Sequence, residues 1–178
     1  VVVFVDRGEL EHSLHTCIGR LRHLGRRYFL VPVDMPGAFH PKVFLRLGNE
    51  GGLAWIGSGN LTRGGWGSNS ELAGAWQLGG PDADPGGWVT GLLSYLDSTL
   101  RPGLARDLLA RAQRLEWLPD APEPGTGPVL FSHDQTLAGQ IDRRWAERKF
   151  TSVKILTGST DRDAAMLKWT VERFGIQQ

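Results

Sequence analysis

The chain has 178 residues, 40% of them hydrophobic and 22% charged, and a net charge of +1. That length fits one ordinary domain or half of a larger pseudo-symmetric one, and the composition excludes a disordered chain. Near-zero net charge excludes a global field that attracts polyanions, leaving only local basic patches.

In chain order, Val1–Val5 is a β-branched run that reads as a buried strand. Glu9–Leu24 places Leu14, Cys17, Ile18, Leu21 and Leu24 at helical spacing, and Gly25 stops it. Tyr28–Val33 and Phe39–Leu47 read as strands around a Met35-Pro36-Gly37 turn. Asn49–Gly52 is a hairpin turn, Leu53–Ile56 a short strand feeding Gly57-Ser58-Gly59-Asn60, and Ser70–Leu78 one more strand. After the loop Gly79–Gly87, helices are expected over Trp88–Leu100 and Leu104–Leu115, split by Arg101-Pro102-Gly103. Pro119–Pro128 is a linker by composition. Beyond it, Thr136–Glu147 and Asp163–Phe174 read as helices and Val153–Leu156 as a strand. This alternation predicts an α/β sandwich, a mixed sheet covered by helices.

Phe39–Leu72 carries the chemistry. Residues two apart on a strand share a face, so His40 and Lys42 are expected to project together with Pro41 turned away. A neutral imidazole can attack phosphorus and split one displacement into two easier ones. Lys42 and the Asn60 amide offer donors to the non-bridging oxygens, and Ser58 one more. Gly57 and Gly59 let backbone approach a ligand. Glu71 can accept from the second imidazole nitrogen and fix its tautomer. Taken singly, His-Pro-Lys is an edge strand with two exposed polar residues and Gly-Ser-Gly-Asn is a turn. Their order and spacing together argue for a site.

His-x-Lys, then an apolar strand running into Gly-Ser-x-Asn, then a glutamate, resembles the phospholipase D superfamily, closest to its nuclease and helicase-associated branches. About 34 residues carry the resemblance. The fuller signature wants an aspartate where Leu47 stands, a departure shared with the tyrosyl-DNA phosphodiesterase branch that argues against a lipid substrate. The resemblance implies a phospholipase D-like α/β sandwich. His40 would be nucleophile or general acid, Lys42, Ser58 and Asn60 the phosphate binders, and Glu71 the support of the histidine. Neither metal nor cofactor is implied.

The family builds one site from two such motifs, and this sequence holds one. Residues 1–118 would form the first repeat, 119–128 the linker and 129–178 the opening of a second repeat, its motif beyond Gln178 or supplied by a homodimer mate. His133-Asp134-Gln135 is no second copy, since Gln135 stands where Lys belongs. Val1 lies inside an apolar run, so a longer polypeptide is expected.

Other signals are weaker. Thr62 replaces the third glycine of a GxGxxG loop and no P-loop lysine is present. Ser58 lacks the first glycine of a nucleophile elbow. His12 and His15 fit a solvated helix face better than a metal site. Lone Cys17 excludes an internal disulfide and suits a cytoplasmic home, and no apolar run approaches the ~18 residues that span a bilayer. Sixteen of twenty basic residues are arginine, which suits phosphate contact but also biased genome composition. The clusters at Arg20, Arg22, Arg26 and Arg27 and at Arg143, Arg144, Arg148 and Lys149 read first as solvated helix faces. Trp66, with Arg63 beside it, is the candidate nucleic-acid contact.

The leading expectation is therefore a metal-independent nuclease acting on DNA, ahead of RNA, through a phosphohistidine. The alternative is a catalytically incomplete nucleic-acid-binding module of a helicase or restriction protein. A lipid phosphodiesterase stands third.

Overall fold

The computed structural model describes residues 1–17, 19, 21–79, 87–100, 103–121, 127–132, 135–155, 157 and 160–176. Two compact units divide it, Val1–Pro128 and Val129–Gln178. The fold is mixed α/β, with its strands in two sheets.

In the first unit, β1 (Val2–Asp6) and β2 (Phe29–Val33) pair in parallel, in register from Val2 opposite Phe29 to Asp6 opposite Val33. Parallel neighbours require a crossover, and α1 (Arg7–Cys17) supplies it, burying Leu10. The helix expected to reach Leu24 stops at Cys17. His23 (φ 70°) and Gly25 (φ 75°) adopt left-handed backbone, and the His23 carbonyl accepts from Arg26 and Arg27 N–H at 3.1 and 3.0 Å. The chain must reverse there so that Phe29 N–H can reach the Val1 carbonyl, 3.0 Å away. That pairing overrides the helical spacing of Leu21 and Leu24.

The second sheet is antiparallel, ordered β3 (Val43–Gly48), β4 (Gly51–Gly57), β5 (Ala73–Leu78). A single mixed sheet was expected, but no ladder joins β2 to β3 among the described residues. The connection between them carries Pro36 and Pro41, which cannot donate to a ladder, and Gly37 at φ 87°. Between β4 and β5 sits a short helix, α2 (Arg63–Gly67), in a stretch to which the sequence assigned no element.

Side chains alternate across this sheet. Ala54 and Leu78 are buried on one face, whereas Phe44, Arg46 and Leu53 are exposed on the other. The covered face meets α3 (Trp88–Thr99), whose Trp88 ring lies 5.4 Å from Trp76, edge to face. Trp88, Val89, Leu92, Leu93 and Leu96 give α3 an apolar stripe, and α4 (Leu104–Gln113) packs against α3. Trp117 Nε1 donates to the Gly48 carbonyl at 2.8 Å, tying the chain after α4 to the β3–β4 hairpin. Residues 80–86 of the expected loop and 122–126 of the expected linker lie outside the described residues.

The second unit holds α5 (Leu137–Arg144) and α6 (Ala165–Phe174). Thr136 caps α5, its hydroxyl accepting from Gly139 N–H at 3.1 Å. Buried Gln140 donates to the Phe131 and Gln135 carbonyls at 2.7 and 3.0 Å, and an Arg173–Asp142 ion pair links the helices. Trp145, Phe150 and Phe174 pack edge to face. The strand expected at Val153–Leu156 is not formed over residues 153–155, where Val153 and Ile155 are exposed and pair with no strand among the described residues. Ile18, Arg20, His133, Asp134 and Leu156 lie outside the described residues. Among the described residues, no helix is long and apolar enough to cross a membrane.

Candidate functional site

The site lies where β3, β4 and β5 all begin or end on one edge of the antiparallel sheet. Its first component, His40–Lys42, precedes β3 and is not itself strand. Pro41 explains the shift, because it has no N–H to give to a ladder. One ladder bond still reaches Lys42, whose carbonyl accepts from Gly57 N–H at 3.1 Å. The two side chains meet as their spacing implied, by contact. Lys42 Nζ lies 2.8 Å from His40 Nδ1 and 2.7 Å from Nε2, and it donates to the His40 carbonyl at 3.2 Å. A neutral imidazole has one lone-pair nitrogen and one N–H, so at most one of the two ring contacts is a hydrogen bond accepted by the ring, and the tautomer decides which. For that nitrogen to act as a nucleophile, Lys42 Nζ must leave it for another acceptor, such as a phosphate oxygen.

The second component hangs from the ends of β4 and β5. Ser58 N–H donates to the Leu72 carbonyl at 3.0 Å, and Leu72 N–H donates to Ser58 Oγ at 3.1 Å. That pairing sets Ser58 against Glu71, whose carboxylate accepts from the serine hydroxyl through Oε2 and from Asn69 Nδ2 at 3.3 Å through Oε1. Glu71 was expected to hold the imidazole; its hydrogen bonds go instead to Ser58 and Asn69. It still acts on the site through space. Partial burial lowers the Lys42 pKa below the usual lysine value, and the Glu71 carboxylate pulls it back up.

The Gly59–Asn60 turn is pressed against α2. A side chain on Gly59 would come within 2.5 Å of the Gly65 carbonyl, and one on Gly65 within 2.3 Å of the Asn60 carbonyl. Only glycine permits that approach. Thr62 caps α2, its hydroxyl accepting from Gly65 N–H at 3.1 Å. Asn60 is exposed and its amide has no hydrogen-bond partner among the described residues, so its donors remain available. The structure thus joins His40 to Lys42, and Ser58 to Glu71, and couples the pairs electrostatically. It leaves Asn60 at the turn, Arg63 exposed on α2, and Trp66 in contact with the open sheet face.

Sequence reasoning missed Asp6. At the end of β1, Asp6 Oδ2 accepts from Phe39 N–H at 2.9 Å, while Oδ1 accepts from Gly8 and Glu9 N–H at 2.9 and 3.2 Å. One carboxylate therefore caps α1 and pins the residue before His40, fastening the parallel sheet to the site. The only signal was an Asp ahead of a helix, an ordinary cap. The Phe39 and Glu9 amides, then Gly8 and the neighbouring His40, hold its carboxyl below the usual value of 3.8.

A carboxyl lowered in the folded state stabilises above its unfolded pKa, and that stability is lost as pH falls through the folded one. Asp6→Ala is expected to lower the urea midpoint at neutral pH. The gap from the parent should close progressively below about pH 4. Equal gaps at pH 7 and in strong acid would remove Asp6 from this role.

Among the described residues, no group of three or more His, Cys, Asp or Glu side chains gathers where an ion could sit. Comparison of the chain with protein-family models, with curated proteins and with solved structures finds no match in any of the three.

Proposed function

We propose that this chain contributes a phosphodiester-cleaving site of the phospholipase D type, acting on nucleic acid. The observation that carries the reading is Lys42 Nζ within 2.8 Å of both His40 ring nitrogens, beside an electrostatically coupled Glu71. In this reading His40 attacks phosphorus, forming a P–N bond as the leaving oxygen departs. Water then cleaves the phosphohistidine. Lys42 and Asn60 neutralise the non-bridging oxygens. A second histidine, from a paired motif on another segment or another copy, protonates the leaving oxygen. The same reading gives the chain a phospholipase D-like sandwich built from two repeats.

The test is cleavage of a labelled oligonucleotide by the native polypeptide in EDTA. Cleavage that persists in EDTA and disappears in His40→Ala supports the reading; cleavage that needs a metal, or survives that change, sinks it. One sequence fact favours a second reading, a binding module without catalysis: a single His-x-Lys motif in 178 residues. Oligonucleotide binding that is unaffected by His40→Ala, with no cleavage at any protein concentration, would select it.

The lowered Lys42 pKa has a consequence of its own. A lysine partly stripped of water sheds its charge at a lower pH than the usual 10.5. Oligonucleotide affinity is expected to weaken on the alkaline side before an exposed lysine would titrate. Lys42→Arg should keep affinity flat over the same range, and Lys42→Ala should cost roughly tenfold at neutral pH. Matching alkaline profiles for the parent and the Lys42→Arg variant would show that Lys42 does not contact phosphate.

A further inference from the structure

The open face of the antiparallel sheet carries an aromatic shelf continuous with the His40–Lys42 site. Phe44 on β3 stands directly across from Trp55 on β4. Trp66, reaching back from α2, packs on both, with ring centroids 5.3 Å from Trp55 and 6.3 Å from Phe44. These rings are not core. Trp66 is 54% exposed, and Phe44 and neighbouring Leu53 are each 42% exposed.

The shelf reaches the site through Gly57. The Trp55 ring lies over that glycine, where a Cβ would fall 2.7 Å from ring carbons, and Gly57 N–H is bonded to the Lys42 carbonyl. Cations border it. Arg46 lies two residues beyond Phe44 on the exposed face of β3, Arg63 is exposed on the helix that carries Trp66, and Lys42 stands at the inner end.

We infer that this face is a base-stacking platform for single-stranded nucleic acid, whose backbone leads one phosphate to Lys42. Aromatic planes accept any base, and cations along the edge follow the backbone. Duplex bases are stacked on one another and cannot lie on such a shelf, so the ligand is a single strand. A polyanion neutralises Lys42, Arg46 and Arg63 together, whereas a second copy of the chain would have to bury the same three cations in its contact. The proposal rests on the phosphodiester reading for the phosphate end but not for the stacking.

The experiment is a fluorescence-anisotropy titration of a labelled twelve-residue oligothymidylate against the full chain at fixed salt, with the matching duplex alongside. His40→Ala is the background, to prevent turnover. Trp66→Ala is expected to weaken single-strand binding about tenfold, Trp66→Phe to restore most of it, and the duplex to bind more weakly than the strand. Circular dichroism of each variant establishes that the sheet is retained. Unchanged affinity in Trp66→Ala, or duplex binding as tight as single-strand binding, overturns the proposal. So does a sedimentation shift from dimer to monomer in Trp66→Ala with oligonucleotide affinity intact, which would assign the shelf to self-association. Metal-free cleavage indifferent to Trp66 would overturn the stacking alone. Trp66-dependent binding by a native chain that never cleaves would keep the stacking and remove the chemistry.

Discussion

His40→Ala is expected to reduce phosphodiester cleavage about a thousandfold or more, with little change in stability. The loss follows from the role: an attacking group has no substitute when its lone pair is removed. The small structural effect follows from position. His40 is exposed, lies outside the β3 ladder, and follows Phe39, which Asp6 pins. Lys42 loses its imidazole partner in the variant but keeps the bond to the residue-40 carbonyl, 3.2 Å away. Unfolding midpoints of parent and variant should therefore agree while their cleavage rates diverge. A matching fall in both would mark His40 as a structural residue.

Trp88→Ala is the change expected to damage the fold most, by about 3–5 kcal/mol. Trp88 is 0% exposed, opens α3, and meets Trp76 across the covered face of the antiparallel sheet. Removing the indole leaves a void beneath β5 and breaks the edge-to-face pair. Against a typical domain stability of about 5–15 kcal/mol, that is a large fraction. Trp88→Phe should cost much less than alanine. The indole N–H is buried with no partner among the described residues, and phenylalanine deletes that unpaired donor, worth about 1–3 kcal/mol, while filling most of the space. Urea unfolding of the two variants checks both statements. A phenylalanine variant as unstable as the alanine one would mean that the N–H is satisfied in solution.

What was legible in the sequence followed local chemistry. Apolar alternation and turn residues placed β3, β4, α3 and α4 to within a few residues. Features that depend on distant pairing were not legible. Leu21 and Leu24 continue the α1 spacing, yet the chain turns at His23 so that β2 can lie beside β1. Val153–Ile155 has strand composition but pairs with no strand among the described residues. At the site, the adjacency of His40 and Lys42 was readable because an i, i+2 spacing is local, although the strand expected from Phe39 begins only at Val43. The preference of Glu71 for Ser58 was not, because it depends on where the β4–β5 ladder ends. Nor was Asp6, whose grip on Phe39 spans 33 residues. Trp66, singled out in the sequence as a candidate contact, is 54% exposed on the open face.

If His40 forms a covalent bond to phosphorus, that bond can be trapped. The native polypeptide, at concentrations that allow motifs to pair, is mixed with a single-stranded oligonucleotide in EDTA and quenched in alkali, where phosphohistidine survives. Mass spectrometry of the peptide containing His40 should show a nucleotide adduct, absent in His40→Ala and accumulating in step with product. Cleavage with no adduct on His40, or an adduct on another residue at undiminished rate in the variant, would show that His40 is not the nucleophile.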